Sequence, residues 1–142
     1  MKNTVISTID KAILFVGRTF TGRNHDYKML KKELSPELDW FSDLKVLVDL
    51  GYLGIRSDYE GDNIVLPFKK PRKSKKNPDP QLTDEQKAAN RVLSQARIFV
   101  ENAIGGIKRY NILVQAFRNR KINFQDDVIA VSAALWNLSL SY

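Results

Sequence analysis

The chain contains no cysteine and a single histidine, His25. Disulfides and thiolate metal sites are therefore excluded, a histidine-based triad or metal centre has at most one ligand, and a reducing compartment is permitted. No run reaches the roughly 18 apolar residues that a membrane span requires. The opening Met1-Lys2-Asn3-Thr4-Val5-Ile6-Ser7-Thr8 lacks the apolar stretch of a secretory signal. These features predict a cytoplasmic protein with no membrane partner. With 43% hydrophobic and 27% charged residues, the composition is that of an ordinary globular chain, which argues against global disorder. A length of 142 residues is enough for one domain with a sizeable core.

What the chain has in excess is positive charge, concentrated in one place. Lys69, Lys70, Arg72, Lys73, Lys75 and Lys76 put six cations into eight residues with no acid among them. Without them the net charge of +7 falls to about +1, so the basicity is local. Such a run attracts phosphates and gives salt-dependent binding. A solvated linker that only confers solubility has the same composition, and charge alone does not separate the two.

Hydrophobic patterning predicts a mixed α/β domain. Residues Lys2–Ser7 and Ala12–Phe20 are rich in β-branched and aromatic side chains, and Thr8-Ile9-Asp10-Lys11 between them reads as a turn, giving a hairpin. Gly22-Arg23-Asn24 breaks the pattern, a helix follows over about 27–34, and Ser35-Pro36 stops it. Lys45–Asp49 and Asn63–Leu66 read as short strands, and 68–82 as a basic, proline-containing loop. Thr83-Asp84-Glu85-Gln86 is a helix start with Thr83 as N-cap and Gln86 closing a capping box. The helix it opens, over 83–110, carries apolar residues at 88, 92, 96, 99, 100, 103, 104 and 107, a stripe suited to packing on a sheet. Gly105-Gly106 is expected to weaken or bend its far end. A last helix over about 124–138 is acidic in its first turn at Asp126 and Asp127. Its interior is apolar nearly all round, which predicts burial between other elements.

Two acids stand out. Asp49 ends the apolar run Val46-Leu47-Val48, and Glu101 lies inside the long amphipathic helix. On a helix of 100° per residue, Asn90, Ser94, Arg97, Glu101, Gly105 and Lys108 fall within about 40° of one line beside the apolar stripe. A carboxylate there could turn toward a strand end. Acids that converge in this way can hold Mg²⁺ or Mn²⁺ through oxygen ligands. A metal pair roughly 4 Å apart can activate a water or a 3′-hydroxyl against a phosphodiester. Glu101 could equally be an ordinary helix acid paired with Arg97 at i−4, and the spacing leaves both open.

Five segments in order resemble the DDE superfamily transposases, the Harbinger-type group and related bacterial insertion-sequence enzymes. They are Thr19-Phe20-Thr21-Gly22-Arg23-Asn24-His25-Asp26, Val48-Asp49-Leu50-Gly51-Tyr52-Leu53-Gly54-Ile55, Pro67-Phe68-Lys69-Lys70-Pro71, Leu82-Thr83-Asp84-Glu85-Gln86-Lys87 and Val100-Glu101-Asn102-Ala103-Ile104-Gly105-Gly106-Ile107-Lys108-Arg109. The resemblance runs from Lys2 to Leu140. It implies a ribonuclease H-like fold and an Asp, Asp, Glu triad in which Asp49 matches the second acid and Glu101 the third. It further implies a two-metal Mg²⁺ or Mn²⁺ site, DNA partners (transposon ends and target), and a nucleoid-associated location in a bacterium. Lys69, Lys70, Arg72, Lys73, Lys75, Lys76, Arg97, Lys108 and Arg109 are the candidates for phosphate contacts, with Arg118, Arg120 and Lys121 weaker ones. His25-Asp26 matches a family motif outside the triad and reads as structural or as support to the site.

The family's first acid lies in an Asp-Gly-Thr-type motif on its first strand, and no such motif occurs here. Asp10, in a hairpin turn, is a poor substitute. The expectation is a partial ribonuclease H-like mixed sheet flanked by helices over 1–142, lacking the N-terminal central strand. That strand would pair with Lys2–Ser7 on one side and Lys45–Asp49 on the other, so its loss predicts a poorly stable chain, inactive alone. Three origins are consistent with this. The chain could be a decayed transposase end, or half of an enzyme encoded in two frames whose missing part or another subunit supplies the first Asp. It could also be a non-catalytic DNA-binding module.

Overall fold

The structure, a computed structural model, describes residues 1–113, 121 and 123–141. It is mixed α/β and divides into two compact units, Met1–Asn24 with Ala96–Tyr142, and His25–Gln95. Arg118 and Arg120 lie outside the described residues.

In the first unit, β1 (Val5–Ser7) and β2 (Ile13–Val16) form the expected antiparallel hairpin, with Val5 opposite Val16, Ile6 opposite Phe15 and an irregularity between Ile6 and Ser7. The turn closes through Thr8 N–H to Ala12 O (2.8 Å) and Lys11 N–H to Thr8 O (3.1 Å), with Lys11 in the left-handed region at φ 69°. A further bridge, Lys2 with Phe20, extends the pairing. α4 (Phe124–Leu140) lies on this hairpin through side chain to backbone bonds. The Asn137 amide both accepts from Ile13 N–H and donates to Ile13 O, each at 2.8 Å, and Trp136 Nε1 donates to Lys11 O at 2.8 Å. The core gathers Ile13, Ala103, Ile107, Ala133 and Trp136, with Val5, Val16 and Ile129 packed against them.

The second unit begins with α1 (Asp26–Glu33), which buries Tyr27, Met29 and Leu30. β3 (Val46–Leu47) runs parallel to β4 (Ile64–Val65), Val46 opposite Ile64 and Leu47 opposite Val65. Parallel strands need a crossover, and this one contains a 3-10 turn, Leu50–Tyr52, and the short α2 (Ile55–Asp58), neither of which the hydrophobic pattern revealed. Ile55 is fully buried, a contribution on the order of 1.5–3 kcal/mol for such a side chain. Each sheet is two-stranded, so β1 and β3 each keep one edge without a strand partner among the described residues.

α3 (Asp84–Lys108) starts as its sequence signals. Gln86 N–H donates to Thr83 Oγ1 at 3.2 Å, and Thr83 N–H donates to Gln86 Oε1 at 3.1 Å, a reciprocal capping box. α3 runs through Gly105-Gly106 and ends two residues later at Lys108, and Gly106 is where the Trp136 ring packs. One helix expectation needs correction. α4 is not buried all round: Val131, Leu135 and Leu138 are exposed, since the hairpin and α3 cover only the face bearing Ser132, Ala133 and Trp136. The apolar stripe of α3 is likewise buried only at Ala103 and Ile107, with Val92 and Phe99 exposed.

Candidate functional site

Asp49 is placed by the end of β3. Val48 N–H still bonds to Val65 O at 3.1 Å, and the chain then leaves the strand. Asp49 takes an extended conformation and caps the 3-10 turn, its Oδ1 accepting from Gly51 N–H at 2.7 Å. A side-chain oxygen accepting from a backbone N–H two residues on is the usual reason for aspartate at such a turn. Gly51 allows a close approach from two sides: a Cβ there would lie 2.9 Å from Asp49 Oδ1 and 3.3 Å from Asp26 Oδ2. The two carboxylates thus face one point above the Gly51 backbone.

The phenol of Tyr52 reports the same concentration of charge. Burial pushes it up to about 12, helped by the negative charges of Asp26, Asp49 and Glu33. Glu33 has both carboxylate oxygens buried without a hydrogen-bond partner among the described residues. Tyr52 is therefore a protonated neighbour of three acids at neutral pH. Sequence reasoning placed Asp26 in a motif of unknown role and missed its proximity to Asp49, which the packing of α1 on the 3-10 turn creates.

Glu101 stands in a different setting. It is exposed on α3 and forms an i,i+4 pair with Arg97, Nε to Oε1 3.1 Å, with both side chains 61% exposed. The ordinary helix pairing left open by the sequence is therefore realised, at a worth of about 0.3–0.5 kcal/mol. Asp49 belongs to one unit and Glu101 to the other. No group of three or more His, Cys, Asp or Glu residues able to hold a metal ion occurs among the described residues.

The predicted phosphate contacts separate into two kinds. Lys69, Lys70, Arg72, Lys73, Lys75 and Lys76 are all exposed, as is Lys108. Arg97 is engaged with Glu101, and the Arg109 guanidinium lies 5.7 Å from the Trp136 ring centroid, a cation–π distance. His25 is exposed and takes the N-cap position of α1 without a side-chain capping bond, while Lys121 is exposed near the start of α4.

The chain belongs to the DDE superfamily endonuclease family, whose model matches residues 1–137. Among curated proteins it is similar to the "Probable transposase for insertion sequence element IS702" of Microchaete diplosiphon, at 36% identity over 103 residues. That stretch covers 72% of this chain and 33% of the relative, so the chain spans about a third of that protein's length. No solved structure matches the chain significantly. No helix among the described residues is long and apolar enough to cross a membrane.

Proposed function

We propose that this chain is the C-terminal portion of a DDE transposase catalytic domain of ribonuclease H-like plan, and that the intact enzyme cleaves and transfers DNA strands. The observation that carries this is the family match over residues 1–137, which includes both Asp49 and Glu101 in the segments that resemble the triad motifs. Family members generally act through divalent metal ions. Asp49 and Glu101 are two of the three carboxylates assigned to that task. Only two of the three acids that the resemblance implies match positions of this chain, so no cleavage step is given to this chain alone. A strand bearing the first acid, from a missing N-terminal part or another transposase subunit, is the partner proposed for the unpaired sheet edges. Transposon ends and target DNA are the proposed substrates, contacted by the basic run.

The test is plasmid nicking with Mg²⁺ or Mn²⁺, using the chain with and without a polypeptide carrying an Asp-Gly-Thr-type strand. Nicking only with that polypeptide, and abolished by Asp49→Ala and by Glu101→Ala, is the expected result. Nicking by the chain alone that both substitutions abolish would refute the fragment assignment. Nicking that neither substitution affects would refute the acids' roles. A non-catalytic DNA-binding role is favoured by the exposure of all six cations of the basic run. It predicts DNA retention with no metal requirement and no nicking in either condition.

A further inference from the structure

A run of six cations held on a mobile tether and one held on a fixed frame bind phosphates differently, because the first must lose conformational freedom on docking. Several bonds shape this segment. At its start, the Asn90 side chain on α3 accepts from Phe68 N–H at 2.7 Å and donates to Phe68 O at 2.9 Å. One amide thus satisfies both backbone groups of the residue that immediately precedes Lys69, as a neighbouring strand would. In the middle, Ser74 N–H donates to Asn77 O at 2.9 Å, and Asn77 N–H donates to Ser74 O and to Ser74 Oγ, each at 3.1 Å. At its end Pro80 is fully buried, three residues before the Thr83 cap. The segment is therefore pinned at both ends and folded back at Ser74–Asn77. None of its six cations forms an ion pair among the described residues.

We propose that Asn90 is a positioning residue for nucleic-acid binding: its two-bond clamp on Phe68 fixes the root of the Lys69–Lys76 run to helix α3, so that the cations meet a phosphate backbone pre-ordered. This role rests on the DNA-binding part of the proposed function. Asn90 touches no phosphate itself. It acts by reducing the ordering cost, so its loss weakens binding without changing how many counterions are released. Lysine loss does the opposite, lowering the salt dependence by about 0.9 in the log–log slope for each phosphate contact removed.

The experiment uses the full chain with duplex DNA, comparing wild type, Asn90→Ala and the double substitution Lys75→Gln, Lys76→Gln. Affinity is measured across a salt series, and amide hydrogen exchange is followed at Phe68 and along α3. The expected result for Asn90→Ala is faster exchange at Phe68 with α3 still protected, and binding weaker by about threefold to tenfold at an unchanged salt slope. The lysine pair should lower the slope. Should alanine reduce α3 protection, Asn90→Leu, a strong helix former of similar size that can make neither bond, repeats the comparison. Unchanged exchange at Phe68, or unchanged affinity despite faster exchange, overturns the role of Asn90 while leaving the DNA reading intact. A wild-type chain with no salt-dependent binding overturns both.

Discussion

Gly105 and Gly106 are neighbours in α3, yet alanine at the two positions should move stability in opposite directions. Each substitution gains roughly 0.5–1 kcal/mol from the lower conformational entropy of the unfolded chain and better helix propensity. At position 105 nothing lies within 4 Å of an added Cβ, so that gain is realised. At position 106 the Cβ would lie 2.2 Å from one carbon of the Trp136 ring and 2.4 Å from two others. Carbon pairs rest at about 3.5–4.0 Å, so ring or helix must shift by more than about 1 Å. The ring is not free to slip, because its Nε1 is bonded to Lys11 O at 2.8 Å and Arg109 lies over its face. Overpacking of this kind costs about 1–3 kcal/mol, and the short distances put it at the upper end. Gly106→Ala should therefore be destabilised by about 2 kcal/mol net, and Gly105→Ala stabilised by up to about 1. Urea unfolding followed by tryptophan fluorescence reads both, in a Trp40→Phe background so that the emission belongs to Trp136. A Gly106→Ala midpoint at or above that of the parent would refute the packing argument. So would equal losses at the two positions.

Four further outcomes are expected. Asp26→Asn or Asp49→Asn should each lower the Tyr52 pKa from about 12, because each removes a negative charge that disfavours the phenolate; tyrosine ring-carbon NMR titration measures it, and no change in either variant would remove Asp26 from the Asp49 neighbourhood. Since the folded pKa lies above the ordinary value of 10.0, Tyr52 contributes stability that is fully present below pH 10.0 and lost as pH rises toward about 12, a decline that Tyr52→Phe should reduce in chemical denaturation. Gly51→Ala should shift the side-chain carboxyl resonances of Asp26 and Asp49 together, at a cost of about 1 kcal/mol, and unmoved resonances would show that the two acids do not share that point. Thr83→Ala removes one half of the capping box and should cost about 1 kcal/mol, seen as faster exchange in the first turn of α3; unchanged exchange there would contradict the cap.

Features governed by neighbours in sequence were legible, and those governed by packing were not. The α3 start and the β1–β2 hairpin depend on Thr83-Asp84-Glu85-Gln86 and on Thr8–Lys11, each a stretch of four residues. The exposed stripe Val131, Leu135 and Leu138 misled because an apolar helix face says nothing about what covers it. The reason for glycine at 106 was hidden for a related cause: only the Trp136 ring, distant in sequence, explains why a side chain is excluded there. The approach of Asp26 to Asp49 joins a helix start to a strand end across 22 intervening residues, and no periodicity reports that.

The same distinction bears on how the acids could serve chemistry. Asp49 is oriented by its own turn: one bond to Gly51 N–H and the absence of a Cβ at that glycine set its carboxylate. Glu101 is oriented by α3 and by the pair with Arg97. Both devices are local in sequence, spanning two and four residues. A chain of this kind can carry its acids already aimed, while a metal site needs a further ligand and their convergence. The Arg97–Glu101 pair is exposed and weak, about 0.3–0.5 kcal/mol, so it is a small barrier to recruiting Glu101 as a ligand. The turn bond from Gly51 N–H falls on Oδ1 of Asp49, and a carboxylate oxygen carries more than one lone pair. In energetic terms, then, the helix pairing of Glu101 and the turn bond of Asp49 are compatible with the ligand roles proposed for them, and the larger requirement is the third carboxylate.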